Sequence, residues 1–166
     1  QYLSTQTVPL PRGFSPAARE PRGVFVTLKK RGDLRGCIGR MIPDRPLATL
    51  VGAMALQSAF EDPRFPAVAQ GEIPDLRIEI SVLTTPAPVS GAGDIVVGRD
   101  GVILQKDGRS AVFLPQVATE QGWGRDEMLE QLCRKAGLPA GGWKQGARML
   151  TFQAEVFSET DFRKAR

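Results

Sequence analysis

Histidine is absent from the 166 residues, and this absence excludes more function classes than any motif supports. Ser-His-Asp and Cys-His nucleophile activation, HExxH zinc sites and haem ligation through histidine all require an imidazole. None of these sites can be built from this chain alone. An enzyme of this sequence must therefore use a base other than histidine.

Cysteine is scarce, with only Cys37 and Cys133. Two cysteines so far apart in sequence do not form a zinc-finger or iron-sulfur ligand set, so we expect no structural metal and no cofactor. A hydrophobic content of 42% can supply a core without disulfides. We therefore expect two unpaired cysteines and a reducing, cytoplasmic location.

Long apolar runs and dense basic runs are also missing. No stretch approaches the roughly 20 apolar residues that span a bilayer, and the first residues show no signal-peptide pattern. The net charge is +4, but no Lys/Arg run is interleaved with aromatic residues as on a nucleic-acid surface. We expect neither a membrane nor a nucleic acid as partner.

The spacing of apolar residues predicts the elements of the first half of the chain. Four prolines make Gln1–Arg22 an extended segment. Two apolar runs, Val24–Leu28 and Leu34–Ile38, predict a hairpin. Apolar residues at steps of three and four predict a helix over Leu47–Phe60, and strict alternation predicts an antiparallel strand over Leu76–Leu83.

The second half begins with a Pro/Gly-rich stretch at 84–93, where we place a boundary between two subdomains. An Asp-Gly turn predicts a hairpin of 102–105 with 111–114, and a helix is predicted to end at Gly137. Alternation predicts one closing strand over 150–156. These elements favour an α+β fold, a single two-lobed domain over residues 1–166 with antiparallel sheet and flanking helices.

The segment Leu34–Gly39, LRGCIG, is the most informative stretch of the chain. It sets the thiol of Cys37 beside the guanidinium of Arg35, and a thiolate forms more readily beside a fixed positive charge. Gly36 and Gly39 let a ligand or another backbone approach closely. The alternative is that Cys37 is a small core residue of a strand and that the glycines mark a bulge and a turn.

Further motifs follow in a fixed order along the chain. Together with GVFVTL and LRGCIG they are AFEDPRF from Ala59, ISVL from Ile80, GRDGV from Gly98, LPQVA from Leu114 and CRKAGL from Cys133. From about Pro21 to Glu159, this order closely resembles the AMMECR domain family, whose microbial members are called AmmeMemoRadiSam system protein A.

The resemblance implies a two-lobed α+β domain with a cleft between the lobes, lined by the LRGCIG and DPRF segments. The microbial name points to a Memo-type protein and a radical-SAM enzyme as partners, and it implies no reaction. We take as candidate ligand-binding residues Arg35, Gly36, Gly39, Asp62, Arg64, Glu79 and Gln116.

Three functional hypotheses use these residues differently. In a cleft-binding or accessory protein, Arg35 and Arg64 clamp an anionic small molecule, a carboxylate or a phosphate. In a cysteine-dependent enzyme, Cys37 is the nucleophile or redox thiol and Asp62 or Glu79 is the general base, although a carboxylate is a poor base toward a thiol. The third hypothesis is an interaction module of a larger redox or radical enzyme system.

We also expect Arg35, Cys37, Asp62 and Arg64 to converge on one concave surface, because the predicted helix returns the chain from the Cys37 strand to the Pro-flanked loop that carries Asp62. The competing interpretation is structural. In that case Asp62 and Arg64 form a salt bridge that fastens a loop, and Arg35 lies on a solvated strand face.

Overall fold

The structure, a computed structural model, describes residues 13–159. The predicted extended segment Gln1–Arg22 lies outside the described residues as far as residue 12. Within its described part, Pro16–Arg19 form a short 3-10 helix, and the proline at the first position explains this start because its φ is already helical. The contacts divide the chain into two compact units, Gln1–Leu83 with Glu155–Arg166, and Thr84–Ala154.

Within residues 13–159 the strands are β1 (Val24–Lys30), β2 (Asp33–Arg40), β3 (Leu76–Leu83), β4 (Ala87–Pro88), β5 (Gly101–Lys106), β6 (Arg109–Phe113), β7 (Arg148–Phe152) and β8 (Ala154–Ser158). The α-helices are α1 (Leu47–Phe60), α2 (Pro115–Glu120) and α3 (Arg125–Ala136). Gln70–Asp75 and Ala92–Asp94 are further 3-10 helices.

The first sheet has the strand order β2-β1-β3-β8, so β2 is an edge strand. A two-residue turn joins β1 to β2, and its residues Arg31 and Gly32 both have positive φ, as the hairpin turn that matches strand twist requires. The pairing of β1 with β2 and with β3 is antiparallel. A register shift after Leu28 leaves Arg35 without a paired residue on β1.

Helix α1 covers one face of this sheet. Val24, Val26 and Leu28 of β1 are buried at every second position, as alternation requires. Leu50 and Met54 of α1 are buried one helical turn apart. Val24, Val26, Leu50 and Met54 pack together with Val82 in the core of the first unit. This packing positions the last turn of α1 against β2.

The second sheet has the order β4-β7-β5-β6. Asp107 and Gly108, again with positive φ, form the turn between β5 and β6. The core contains Leu129 and Leu132 of α3, and Gly137 ends this helix in the left-handed conformation. Cys133 lies on the same helix and is fully buried, as predicted.

The α+β class is confirmed, as are the hairpin of β1 and β2, the helix Leu47–Phe60 and the strand Leu76–Leu83. The single closing strand over 150–156 is wrong, because β7 and β8 belong to different sheets. The strand is interrupted at Gln153, whose backbone bonds Thr84. The Gln153 N–H donates to Thr84 Oγ1, and the Gln153 carbonyl accepts from the Thr84 N–H. Alternation continues through this break and therefore hides it.

No helix within residues 13–159 is both long and apolar enough to cross a bilayer.

Candidate functional site

Cys37 lies on the edge strand β2, directly opposite Thr27 of β1. The side chain of Cys37 is half-buried, and the thiol is free. The Thr27 hydroxyl donates to Sγ of Cys37 at 3.3 Å. The thiol sulfur therefore accepts a hydrogen bond from a hydroxyl of the adjacent strand.

The edge-facing backbone of Cys37 is bound by the loop that follows α1. Its N–H donates to Oδ2 of Asp62 at 2.9 Å, and its carbonyl accepts from Nη2 of Arg64 at 3.1 Å. Edge strands expose such unpaired groups, and here two side chains satisfy them. The DPRF loop thus acts on Cys37 through the main chain.

Asp62 is the central residue of this arrangement. Its carboxylate accepts from Nε and Nη2 of Arg64 at 2.9 and 2.7 Å, and from the Arg64 N–H at 3.1 Å in an Asx turn. The Asp62 side chain is 2% exposed. The Arg64 guanidinium, helped by the N–H groups of Cys37 and Arg64, holds the pKa of Asp62 well below its usual range, and Asp62 raises the pKa of Arg64. Asp62 is therefore a permanent carboxylate at neutral pH.

The two glycines of LRGCIG permit close contacts inside the first unit. A Cβ at Gly36 would lie 2.1 Å from the Ser58 carbonyl oxygen of α1. A Cβ at Gly39 would lie 2.2 Å from the ring of Phe25, its cross-strand partner. The close approach predicted at these positions is present, and what approaches is a helix backbone and an aromatic ring of the same unit.

Ser58 adds a bond that the sequence did not indicate. Its hydroxyl accepts from the Ile38 N–H at 2.9 Å and donates to the Val26 carbonyl at 2.7 Å. Ile38 and Val26 are opposite each other in the register, so the hydroxyl bridges β1 and β2. The only signal in the sequence is a polar residue on the apolar face of α1.

Arg35 does not join Asp62 and Arg64, so the expected convergence of four side chains is only partial. Its Nε and Nη2 donate to the two carboxylate oxygens of Glu72 at 3.0 and 2.9 Å, and Nη1 donates to the Pro66 carbonyl at 2.9 Å. The Arg35 side chain is 11% exposed. The nitrogens of the Arg35 guanidinium are therefore bonded to acceptors of the protein itself. The prediction that Arg35 clamps an anion is corrected: Arg35 fastens the segment from Pro66 to Glu72.

Glu72 was missed by sequence reasoning, although it is the main partner of Arg35. Arg35, then the Ala69 N–H, then Lys30 hold the pKa of Glu72 well below its usual range. The carboxylate therefore stays ionised and bonded at neutral pH. Sequence separation hides the pair, because Glu72 lies 37 positions after Arg35.

Glu79 lies away from the thiol within the first unit, and Gln116 belongs to the other unit. Glu79 is opposite Thr27 on β3, two strands from Cys37, a separation of roughly 10 Å at ordinary strand spacing. Its carboxylate accepts from Nζ of Lys29 at 2.9 Å. Gln116 belongs to α2 in the second unit. Within residues 13–159, no three His, Cys, Asp or Glu side chains form a group that could hold a metal ion.

A family model described as AMMECR1 matches residues 1–157. The chain belongs to the AMMECR1 family. Similar proteins occur in Thermococcus onnurineus, 42% identical over 93% of this chain and 80% of the relative, and in Methanothermobacter thermautotrophicus, 44% identical over 90% and 82%. The crystal structure of uncharacterized protein PH0010 from Pyrococcus horikoshii matches at 40% identity with a TM-score of 0.86, covering 95% of this chain and 84% of that chain.

Both the family resemblance and the α+β fold expected from the motifs are thereby confirmed. The names of these AMMECR1 relatives state no activity, substrate or ligand. A function for this AMMECR1 protein must therefore be argued from its own site.

Proposed function

We propose that this AMMECR1 protein is a non-catalytic accessory protein that binds a partner or an anionic ligand and performs no chemistry at Cys37. One observation carries the proposal: the carboxylate next to Cys37 is already saturated. Asp62 accepts from the Cys37 N–H and from three N–H groups of Arg64. These bonds are those of a structural support.

A cysteine-dependent enzyme needs a group that takes the thiol proton at neutral pH. Asp62 is unsuited because its pKa is held well below its usual range, so it takes up a proton only in strong acid. Glu79 is unsuited because it lies two strands away and is paired with Lys29. Neither carboxylate named as a candidate base fits the role.

Arg64 is the candidate contact for an anion. Its side chain is 53% exposed, and its guanidinium lies over the Phe65 ring at 5.5 Å. Nε and Nη2 are engaged with Asp62, which leaves the Nη1 group as the donor for a carboxylate or a phosphate. One such donor group supports only weak binding of a small anion. This favours recognition of a larger partner, of which one anionic group would meet Arg64.

The partner class comes from the family resemblance, which links microbial members to a Memo-type protein and a radical-SAM enzyme. The proposal is tested by measuring the affinity of this protein for each purified candidate partner by calorimetry. We expect Cys37→Ser to bind as the wild type does and Arg64→Ala to bind at least several-fold more weakly. Loss of binding in Cys37→Ser with full binding in Arg64→Ala would contradict the proposal.

The cysteine-dependent enzyme stays the second candidate, because Sγ accepts a hydroxyl hydrogen bond from Thr27 and Arg64 lies close by. Alkylation of Cys37 by iodoacetamide, followed by mass spectrometry of its peptide, separates the two. A rate at pH 7 no faster than that of free cysteine supports the accessory role. A rate about tenfold faster or more supports the enzyme.

A further inference from the structure

The charged residues of the second unit, Thr84–Ala154, are distributed unevenly. Segments 101–113 and 128–148 carry six cationic residues, which we call the basic face: Lys106, Arg109, Arg134, Lys135, Lys144 and Arg148. The same segments carry two acidic residues, Asp107 and Glu130, so their excess of four positive charges equals the net charge of +4 of the whole chain. The remaining charged residues of the unit are two cationic and five acidic ones.

Hydrogen bonds bring the segments of the basic face together. Nζ of Lys106, at the end of β5, donates to the Gln145 carbonyl in the loop before β7 at 2.7 Å. Nη1 of Arg109, at the start of β6, donates to the Gly137 carbonyl just after α3. Nζ of Lys135 in α3 donates to a carbonyl of β6 at 2.9 Å. The β5–β6 hairpin, the end of α3 and the loop before β7 therefore form one surface of this unit.

The cations of the basic face keep their charge uncompensated. Within residues 13–159, the ion pairs are made by other lysines and arginines, and none of the six forms one. The Glu130 carboxylate is engaged elsewhere, since it accepts from the Gly141 N–H at 2.8 Å and from Nε1 of Trp143 at 2.9 Å. A carbonyl oxygen carries only a partial charge, so Lys106, Arg109 and Lys135 stay available to an anion.

A groove of about 380 Å³ lies at the tip of the hairpin. Lys106, Asp107, Arg109 and Ser110 belong to its lining. Arg148 of β7 lies beside it, because residue 105, its partner in the strand register, belongs to the same lining. A groove bordered by three cations and one carboxylate fits a segment of anionic side chains.

The aromatic rings of the basic face are covered by its lysines. Nζ of Lys135 lies over the Phe113 ring at 4.8 Å, and Nζ of Lys144 lies over the Trp143 ring at 5.4 Å. Single-stranded nucleic acids are bound by stacking their bases on aromatic rings. This surface presents ammonium groups where such a site presents rings, which favours a partner recognised by charge alone.

We propose that the basic face binds an acidic segment of a partner protein, whose Asp and Glu side chains lie along the groove and against the six cations. Complementary charge accelerates the encounter of two proteins and fixes their relative orientation. The proposal concerns the second unit and does not depend on the Arg64 contact proposed above for the first.

Fluorescence anisotropy of a labelled octaglutamate peptide, titrated with the full chain at low ionic strength, tests the proposal. We expect Arg134→Gln combined with Arg148→Gln to weaken binding about fivefold or more, because two cations of the face are lost. The control is Arg19→Gln combined with Arg31→Gln, which removes the same charge from exposed positions of the first unit. It should weaken binding less than about twofold. Equal weakening, or no binding by the wild type, would overturn the proposal.

Carbodiimide cross-linking of the same peptide to the wild-type protein, read by mass spectrometry, locates the site without a variant. We expect cross-links at Lys135 and Lys144. Lys29 and Lys30 of the first unit are internal controls, because both are paired with carboxylates. Cross-links mainly at lysines outside the basic face would overturn the proposal. Tighter binding of an eight-nucleotide thymidylate strand than of octaglutamate would also overturn it, in favour of a nucleic acid.

Discussion

Asp62 in the first unit and Asp100 in the second form the same structural device, a buried carboxylate paired with a nearby arginine. Both are buried, at 5% and 3% exposure, and both receive Nε and Nη2 of a nearby arginine that is half-exposed. Arg99 binds Asp100 at 2.8 and 2.9 Å, as Arg64 binds Asp62. In both cases the arginine holds the pKa of the carboxyl below its usual range.

The two devices differ in the backbone that they hold. Asp100 accepts from the Val96 N–H, four residues before it, and so closes a local turn. Asp62 accepts from the Cys37 N–H, 25 residues before it, and so fixes an edge strand. The comparison teaches that a buried Asp–Arg pair in this protein is not itself a sign of a ligand site. The first unit differs in that its Asp62–Arg64 pair holds the backbone of a residue with a free thiol, Cys37.

A second device also occurs twice. Gly39 is opposite Phe25 in the first sheet, and Gly101 is opposite Phe152 in the second. In both pairs the ring lies over the glycine, within 2.3 Å of where a Cβ would stand. Gly36 has a different neighbour, the backbone of α1, which cannot rotate away.

The largest effect is expected for Gly36→Ala. The new methyl group would meet the Ser58 carbonyl at 2.1 Å, so α1 or β2 must shift, at a cost of about 3 kcal/mol in the free energy of unfolding. Gly52→Ala is the control, because its Cβ meets nothing within 4 Å and alanine favours the helix. Urea unfolding measures both, and equal stabilities would show that the contact is unimportant.

Removing the carboxylate of Asp62 or of Asp100 should destabilise the unit that contains it. Only the removal at Asp62 should change the reactivity of the Cys37 thiol. We expect Asp62→Ala and Asp100→Ala each to cost about 2 to 3 kcal/mol, since each leaves several charge-assisted hydrogen bonds unmade. Only Asp62→Ala should accelerate iodoacetamide alkylation of Cys37, because it frees the edge strand. Equal acceleration in both variants would mean that the thiol reports general unfolding.

The free energy of unfolding at acid pH should distinguish the carboxylates of Asp62 and Asp100 from ordinary surface carboxylates. Because the folded-state pKa of Asp62 is lowered, its contribution is present above about pH 4, the unfolded value, and is lost as the pH falls toward the folded value. The stability difference between wild type and Asp62→Asn should therefore shrink from pH 5 to pH 2. Asp100→Asn should behave alike, and a constant difference in either variant would contradict the low pKa.

The smallest effect is expected for Thr27→Val, which removes the hydroxyl that donates to Cys37 Sγ. Stability should change by less than about 1 kcal/mol, as for a weak bond, and the alkylation rate by about twofold. Thr49→Val, at an exposed position of α1, is the control. A tenfold change in rate for Thr27→Val alone would favour the enzyme hypothesis.

Local periodicity was sufficient to predict most of the fold. The bounds of α1 and β3 follow from apolar spacing, and both hairpin turns follow from glycine after a charged residue. The break at Gln153 could not be predicted, because a change of sheet leaves the alternation of side chains intact.

The candidate site was predictable only in part. The motifs indicated that Asp62 and Arg64 meet Cys37, since a helix returns the chain to the strand. They did not show that Asp62 binds the backbone of Cys37, or that Arg35 turns to Glu72. Partners of a charged side chain depend on the register and the bulge after Leu28, which no local pattern encodes.

The bridge made by Ser58 links the order of folding to the state of the hairpin. The Ser58 hydroxyl of α1 bonds both the Ile38 N–H and the Val26 carbonyl, so docking of the helix adds two hydrogen bonds at this pair of the hairpin. Amide hydrogen exchange at Ile38 should therefore follow the undocking of α1, while the amides near the Arg31–Gly32 turn follow the opening of the hairpin alone. The exchange rate of an amide in the strand that carries the thiol therefore reports whether α1 is docked.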